Sequence, residues 1–186
     1  MSKAFLARAM PLLQVIAQSG SLNSTAADIP SAHLPAVLDM KNGLACSYVY
    51  EDDGSWVYVS QADLDELRAP VEGLHEVSLV NLAQLASNRI RMQTYGSIYP
   101  LLLDGKFEAS LLLLDNLWDG PLRKQAPNGP VAALPARDVL AFADSGSLNG
   151  IDELSQLVGR VYPTGDHTIS DQLYRREEGL WVRWRP

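Results

Sequence analysis

Residues 105–146, GKFEASLLLLDNLWDGPLRKQAPNGPVAALPARDVLAFADSG, constrain the fold more than any other stretch of the chain. Two apolar runs, 106–115 and 131–143, flank a polar linker that contains Pro121, Pro127, Gly129 and Pro130. Short apolar runs bounded by turn formers read as strands buried on at least one face. Two of them in close succession predict neighbouring strands at the centre of a sheet. Only four polar residues interrupt these runs in a way that demands a partner: Glu108, Ser110, Arg137 and Asp138.

Composition then narrows the class. A chain of 186 residues, 47% hydrophobic and 20% charged, can bury one sizeable core and lies outside the disordered range. Fifteen basic residues scattered among 22 acidic ones give a net charge of −7, which argues against nucleic acid and against anionic lipid. A single cysteine, Cys46, allows neither an internal disulfide nor a cysteine-rich zinc site and fits a reducing cytoplasm. No run reaches the roughly 20 apolar residues of a membrane span. Near the N-terminus, Lys3 and Arg8 precede an apolar run as in a signal peptide, but Pro11 and Gln14 interrupt it. Phe5, Leu6, Ala9, Leu12, Leu13 and Ile16 share one helical face, so a docking helix with a connecting loop is expected over residues 1–35.

The sheet-containing core is expected over residues 36–186. Asn42-Gly43 is a two-residue hairpin signal, and Asp52-Asp53-Gly54 turns the next pair of strands. Ser60 with Asp63 has the form of a capping box and opens a short helix over 61–68. A longer helix follows over 71–88, with Val71, Leu74, Leu79, Leu82, Leu85 and Ala86 in one stripe and His75 projecting from it. Strands are expected at 89–94 and 98–103, a helix at 148–160, and a terminal hairpin at 169–175 and 180–184. Most strand connections are too short for crossovers. The chain therefore reads as a single α+β domain, a mainly antiparallel sheet packed by about four helices.

Several residues are candidates for chemistry. His75 on an apolar helix face suits a general base or a metal ligand, although a core histidine bonded to a backbone carbonyl explains it more cheaply. Arg137 and Asp138 are consecutive, so on a strand they point to opposite faces and one must enter the core or lie at a bulge beside Pro135. A cross-strand Arg137–Glu108 ion pair would satisfy both charges; the same groups turned toward a cleft would bind an anion or carboxylate. Asp115, Asp119, Asp138 and Asp144 could gather around a hard cation only if strand ends converge, and His33, His75 and His167 lie in no zinc-binding spacing. No metal or cofactor is expected. Cys46 reads as a small buried hydrophobe, and neither a nucleophile elbow nor a glycine-rich phosphate loop is present.

The runs SQADLDELR at residues 60–68, His75-Glu76 with Asn81-Leu82, FEASLLLLDNLW and LPARDVLAFADSG resemble the YtpQ-type bacterial proteins of unknown function. The resemblance covers roughly residues 36–160. It implies a cytoplasmic bacterial protein and a fold neighbourhood, and it supplies no activity. Taken together, the residues favour a non-enzymatic binding or interaction module. Ser110, Trp118, Trp181 and Trp184 are its candidate contact residues, and a C-terminal hairpin bearing an exposed tryptophan would offer an edge for homodimerisation. The competing expectation is a hydrolase or small-ligand enzyme with a cleft between the His75 helix and strands carrying Glu108, Arg137 and Asp138. The ligand itself is not specified by the residues.

Overall fold

A computed structural model describes residues 4–15 and 34–185 of the chain. Its secondary structure is α+β with exclusively antiparallel strand pairing, carried by two sheets. The chain divides into two compact units, Met1–Gln84 and Leu85–Pro186. No described helix is long and apolar enough to cross a membrane.

The first unit is built on one buried strand. Its strands are β1 (Met10–Val15), β2 (Val37–Asp39), β3 (Leu44–Asp52) and β4 (Ser55–Tyr58). β3 pairs with all three others, and its first six residues are buried. Burial on both faces explains why LACSYV lacks the apolar–polar alternation of a half-exposed strand. The β3–β4 turn is the expected one: Asp53 (φ 46°) and Gly54 (φ 79°) supply the two left-handed residues of a tight hairpin. The turn before β3 is wider than Asn42-Gly43 suggests. Lys41 (φ 60°) and Gly43 (φ 88°) take the left-handed positions, while the Asn42 side chain accepts from Leu44 N.

The N-terminal helix is not formed. A short 3-10 turn at Leu6–Arg8 leads into strand β1, and Ile16 and the expected connecting loop fall largely outside the described residues. Pro11 decides the matter. It would remove a hydrogen bond inside a helix, whereas an edge strand tolerates it, and β1 is the edge strand beside β3.

Helix α1 (Gln61–Leu67) carries the capping box: Ser60 Oγ accepts from Asp63 N at 3.2 Å, and Asp63 Oδ2 accepts from Ser60 N at 2.8 Å. Helix α2 (Val71–Arg89) buries Leu74, Ser78, Leu82 and Ala86 at four-residue steps. That stripe is narrower than the expected one, since Leu79 and Leu85 are only half-buried.

The second unit holds a six-stranded sheet: β5 (Arg91–Met92), β6 (Tyr99–Leu102), β7 (Pro130–Ala136), β8 (Val139–Asp144), β9 (Leu173–Glu177) and β10 (Leu180–Arg183). The spatial order is β10-β9-β7-β8-β6-β5. Alternation along these strands gives two faces. Val131, Ala133, Ala141, Ala143 and Leu173 pack under helix α4 (Leu148–Val161) through Leu154 and Val158. The alanines let the helix come close, and Gly150 is required there: a Cβ would lie 2.7 Å from that of Ala143 and 3.0 Å from Ser97 O. The other face presents Phe142, which meets Trp118 of the short helix α3 (Asp115–Asp119) at 5.3 Å and Tyr99 at 5.3 Å.

Both central runs depart from expectation. Residues 106–115 form no strand; they coil through a 3-10 turn at Ala109–Leu113 whose first four residues are buried. An apolar run without periodicity does not distinguish the two, and here the polar side chains choose the turn. Asp104 Oδ1 accepts from Lys106 N and Phe107 N, while Glu108 Oε1 accepts from Leu103 N, Asp104 N and Gly105 N. Residues 131–143 are two strands, not one. Ala136 pairs with Val139, so Arg137-Asp138 is the hairpin turn between β7 and β8. A register shift between Ala133 and Ala136 accommodates Pro135, as a bulge would.

Candidate functional site

Each candidate from the sequence occupies a defined position. His75 belongs to the first unit, and Glu108, Arg137 and Asp138 to the second. Half-buried on α2, His75 places Nδ1 3.1 Å from the hydroxyl of Tyr48 on β3, with the two rings edge-to-face. Burial lowers its pKa, opposed by the nearby Glu76 carboxylate. Tyr48 is fully buried, and desolvation first, then Cys46, pushes its pKa up. Cys46 lies two residues earlier on β3, and burial raises its thiol to about 12. Burial thus disfavours the charged forms of Tyr48, Cys46 and His75 alike; Tyr48 and His75 share a hydrogen bond, while Cys46 Sγ donates to Ser47 O.

Glu108 is 3% exposed. One of its oxygens takes three backbone N–H groups at 2.7–2.9 Å, closing the loop after β6. The cross-strand Arg137–Glu108 ion pair is not formed among the described residues; it is the neighbouring Ala109 whose N donates to Arg137 O at 3.0 Å. The reason is that neither residue is on a strand. Glu108 has become a loop-closing cap, and Arg137 and exposed Asp138 sit at a hairpin tip. Ser110 is buried within the 3-10 turn.

The tryptophans are also placed differently. Trp118 is 3% exposed and its indole N–H donates to Leu111 O. Trp181 is half-buried, stacks edge-on against Trp118 at 4.8 Å and donates to Leu112 O. Trp184 is half-buried beneath the Arg175 guanidinium and packs toward the α4 cluster. These indoles fasten the terminal hairpin to its own unit, so an exposed tryptophan on that hairpin is corrected. The four aspartates do not converge either. Asp144 organises the turn after β8 through Asn128 and Gly146 N, and no set of three potential ligands for a metal occurs among the described residues.

The arrangement that composition and spacing did not single out is centred on Arg176. Alternation along β9 turns Tyr174 and Arg176 toward the face bearing Trp118, and only 7% of the Arg176 side chain is exposed. Asp119 meets Nη1 and Nη2 together, and Asp115 Oδ1 accepts from Nη2 at 2.9 Å. The aspartates are four residues apart on α3, hence on one side of it. The ion pair with Arg176, and less strongly Arg123, holds the Asp119 carboxyl below its usual range, and Asp119 raises the Arg176 pKa in turn. A cavity of about 220 Å³ opens beside this cluster. Trp118, Leu122, Ala126, Pro127 and Pro130 form its apolar walls; Arg123, Asp119, Arg176 and Glu178 bring two charges of each sign. The signal available in sequence was Arg175-Arg176 on a strand, where one of the two must face inward, with Asp115 and Asp119 at helical spacing.

No family model, curated protein or solved structure matches the chain.

Two consequences follow for the residues expected to be catalytic. Glu108→Gln removes the charge from three convergent N–H donors, so unfolding free energy should fall by about 1–3 kcal/mol in urea titration; no loss would mean that the loop closes without the carboxylate. For His75, the folded pKa lies below the unfolded value of about 6.5. The unfolded chain then binds more protons just below neutral, so the contribution of His75 is present above about pH 6.5 and is lost as pH falls below that and through the lower folded pKa. Urea midpoints measured from pH 8 to 5 should decline less steeply in His75→Gln than in the parent protein.

Proposed function

We propose that the chain is a non-enzymatic binding protein of the bacterial cytoplasm, with the Arg176 cavity as its ligand site. The supporting observation is a buried guanidinium, fixed by Asp115 and Asp119, on the wall of a cavity that also presents Arg123, Glu178 and several apolar side chains. Such a wall combines desolvated surface with a few oriented charges, the composition of ligand pockets in general. The ion pair with Arg176 holds the Asp119 carboxyl below its usual range, and guanidinium groups stay protonated throughout the working range of proteins. Against a hydrolase centred on His75 stands the engagement of its Nδ1 with Tyr48 and of Glu108 Oε1 with three N–H groups. Kinship with the YtpQ-type proteins remains part of this reading on the strength of the motifs alone.

A fragment screen read by ¹H–¹⁵N NMR tests the site. Binders should shift the amides of Gly129 and Gly179 and the indole N–H of Trp118 together, and Arg123→Ala should weaken them several-fold. Shifts scattered elsewhere, or none, would remove the cavity from the reading.

A second reading, self-association through the terminal hairpin, is favoured by the position of β10 at the end of the strand order and by Leu180, 71% exposed at its start. Light scattering should then show dimers that Leu180→Glu converts to monomers; a parent protein monomeric at every concentration would dispose of it.

A further inference from the structure

The charges that line the cavity are not equivalent. Asp119 uses both carboxylate oxygens on Arg176, and Arg176 uses both terminal nitrogens on carboxylates. They neutralise each other and form one wall. The two remaining charges, Arg123 in the 3-10 turn Pro121–Lys124 and Glu178 in the β9–β10 turn, are exposed. Neither makes a side-chain hydrogen bond or ion pair among the described residues. The cavity thus offers one cation, which acts on Asp119 only through space, and one anion, neither held in a hydrogen bond or ion pair among the described residues, beside the apolar side chains of Leu122, Ala126, Pro127 and Pro130.

A lone anion drawn to Arg123 would meet Glu178. A lone cation drawn to Glu178 would meet Arg123. Like-charge approach of that kind costs affinity and serves to reject such ligands. Only a ligand carrying both signs satisfies both ends, and a volume of about 220 Å³ is smaller than the ~300–1,000 Å³ of drug-sized pockets. Resting on the cavity reading above, we propose that the ligand is a small zwitterion of the α-amino-acid type, its carboxylate toward Arg123, its ammonium toward Glu178 and a compact apolar side chain against the proline and leucine wall.

The test titrates three probes into the full-length protein, each read by NMR at Gly129, Gly179 and the Trp118 indole: leucine, N-acetyl-leucine without the cation, and leucinamide without the anion. Leucine should shift all three signals saturably, with each analogue at least tenfold weaker. In Arg123→Gln the advantage of leucine over leucinamide should vanish, and in Glu178→Gln its advantage over N-acetyl-leucine. Both positions are exposed, and circular dichroism verifies that the variants fold. Equal binding of N-acetyl-leucine would make this an anion site, and equal binding of leucinamide a cation site; either overturns the zwitterion. Silence from leucine while screening fragments still move these signals overturns the ligand class and leaves the cavity standing. Silence from leucine and from every fragment removes both.

Discussion

A guanidinium withdrawn from water must be met by acceptors that stay charged, and in the second unit this requirement falls on Arg176. Leaving one buried arginine unpaired costs several kcal/mol, whereas pairing it with two carboxylates roughly breaks even. The interaction is therefore better understood as a constraint on geometry than as a source of stability. Asp115 and Asp119 can both reach Arg176 only if α3 lies over the end of β9, and with α3 so placed Trp118 falls between Phe142 and Trp181. Burial of that indole, worth far more than the ion pair, then keeps the layer in position. The cavity wall is a by-product of the same placement.

How much of this can be read in advance depends on the signal each element leaves. Turns and caps were legible because their chemistry is local. Asp53-Gly54 needs two left-handed residues, Ser60 and Asp63 answer each other's backbone, and both are found as expected. The antiparallel α+β class was legible for a similar reason, since short connections forbid crossovers. Elements whose identity is decided by distant partners were not. Residues 106–115 carry an apolar run that suits a strand or a buried turn equally well, and Glu108 tips it by capping three amides. The run at 131–143 hid a hairpin because Arg137-Asp138 carries neither glycine nor asparagine to announce the turn.

The candidate site shows the same division. Its prominent polar residues were noticed because they interrupt apolar runs, and several of them turned out to serve the backbone or core. Glu108 closes a loop, Trp118 and Trp181 donate to carbonyls in the 3-10 turn, and His75 meets Tyr48. Arg176, Arg123 and Glu178 sit in polar surroundings in the sequence, so nothing about them stood out. Only strand alternation, together with the i, i+4 spacing of Asp115 and Asp119, could have brought three of the charges together, and the pairing of β9 with β7 is what carries Arg176 to them.

The two kinds of polar burial also differ in what they can do. Tyr48 and His75 are hydrogen-bonded to each other, and burial disfavours the charged form of each, raising the Tyr48 pKa and lowering that of His75. Arg176 and its aspartates are the reverse: an ion pair that holds the Asp119 carboxyl below its usual range, at a surface where Asp115 and Asp119 remain about two-thirds exposed. Fixed charge at a partly dry wall orients a ligand without reacting with it. That contrast, between a hydrogen-bonded polar pair in one unit and an ion-paired guanidinium beside a cavity in the other, is the ground on which the proposed binding role rests.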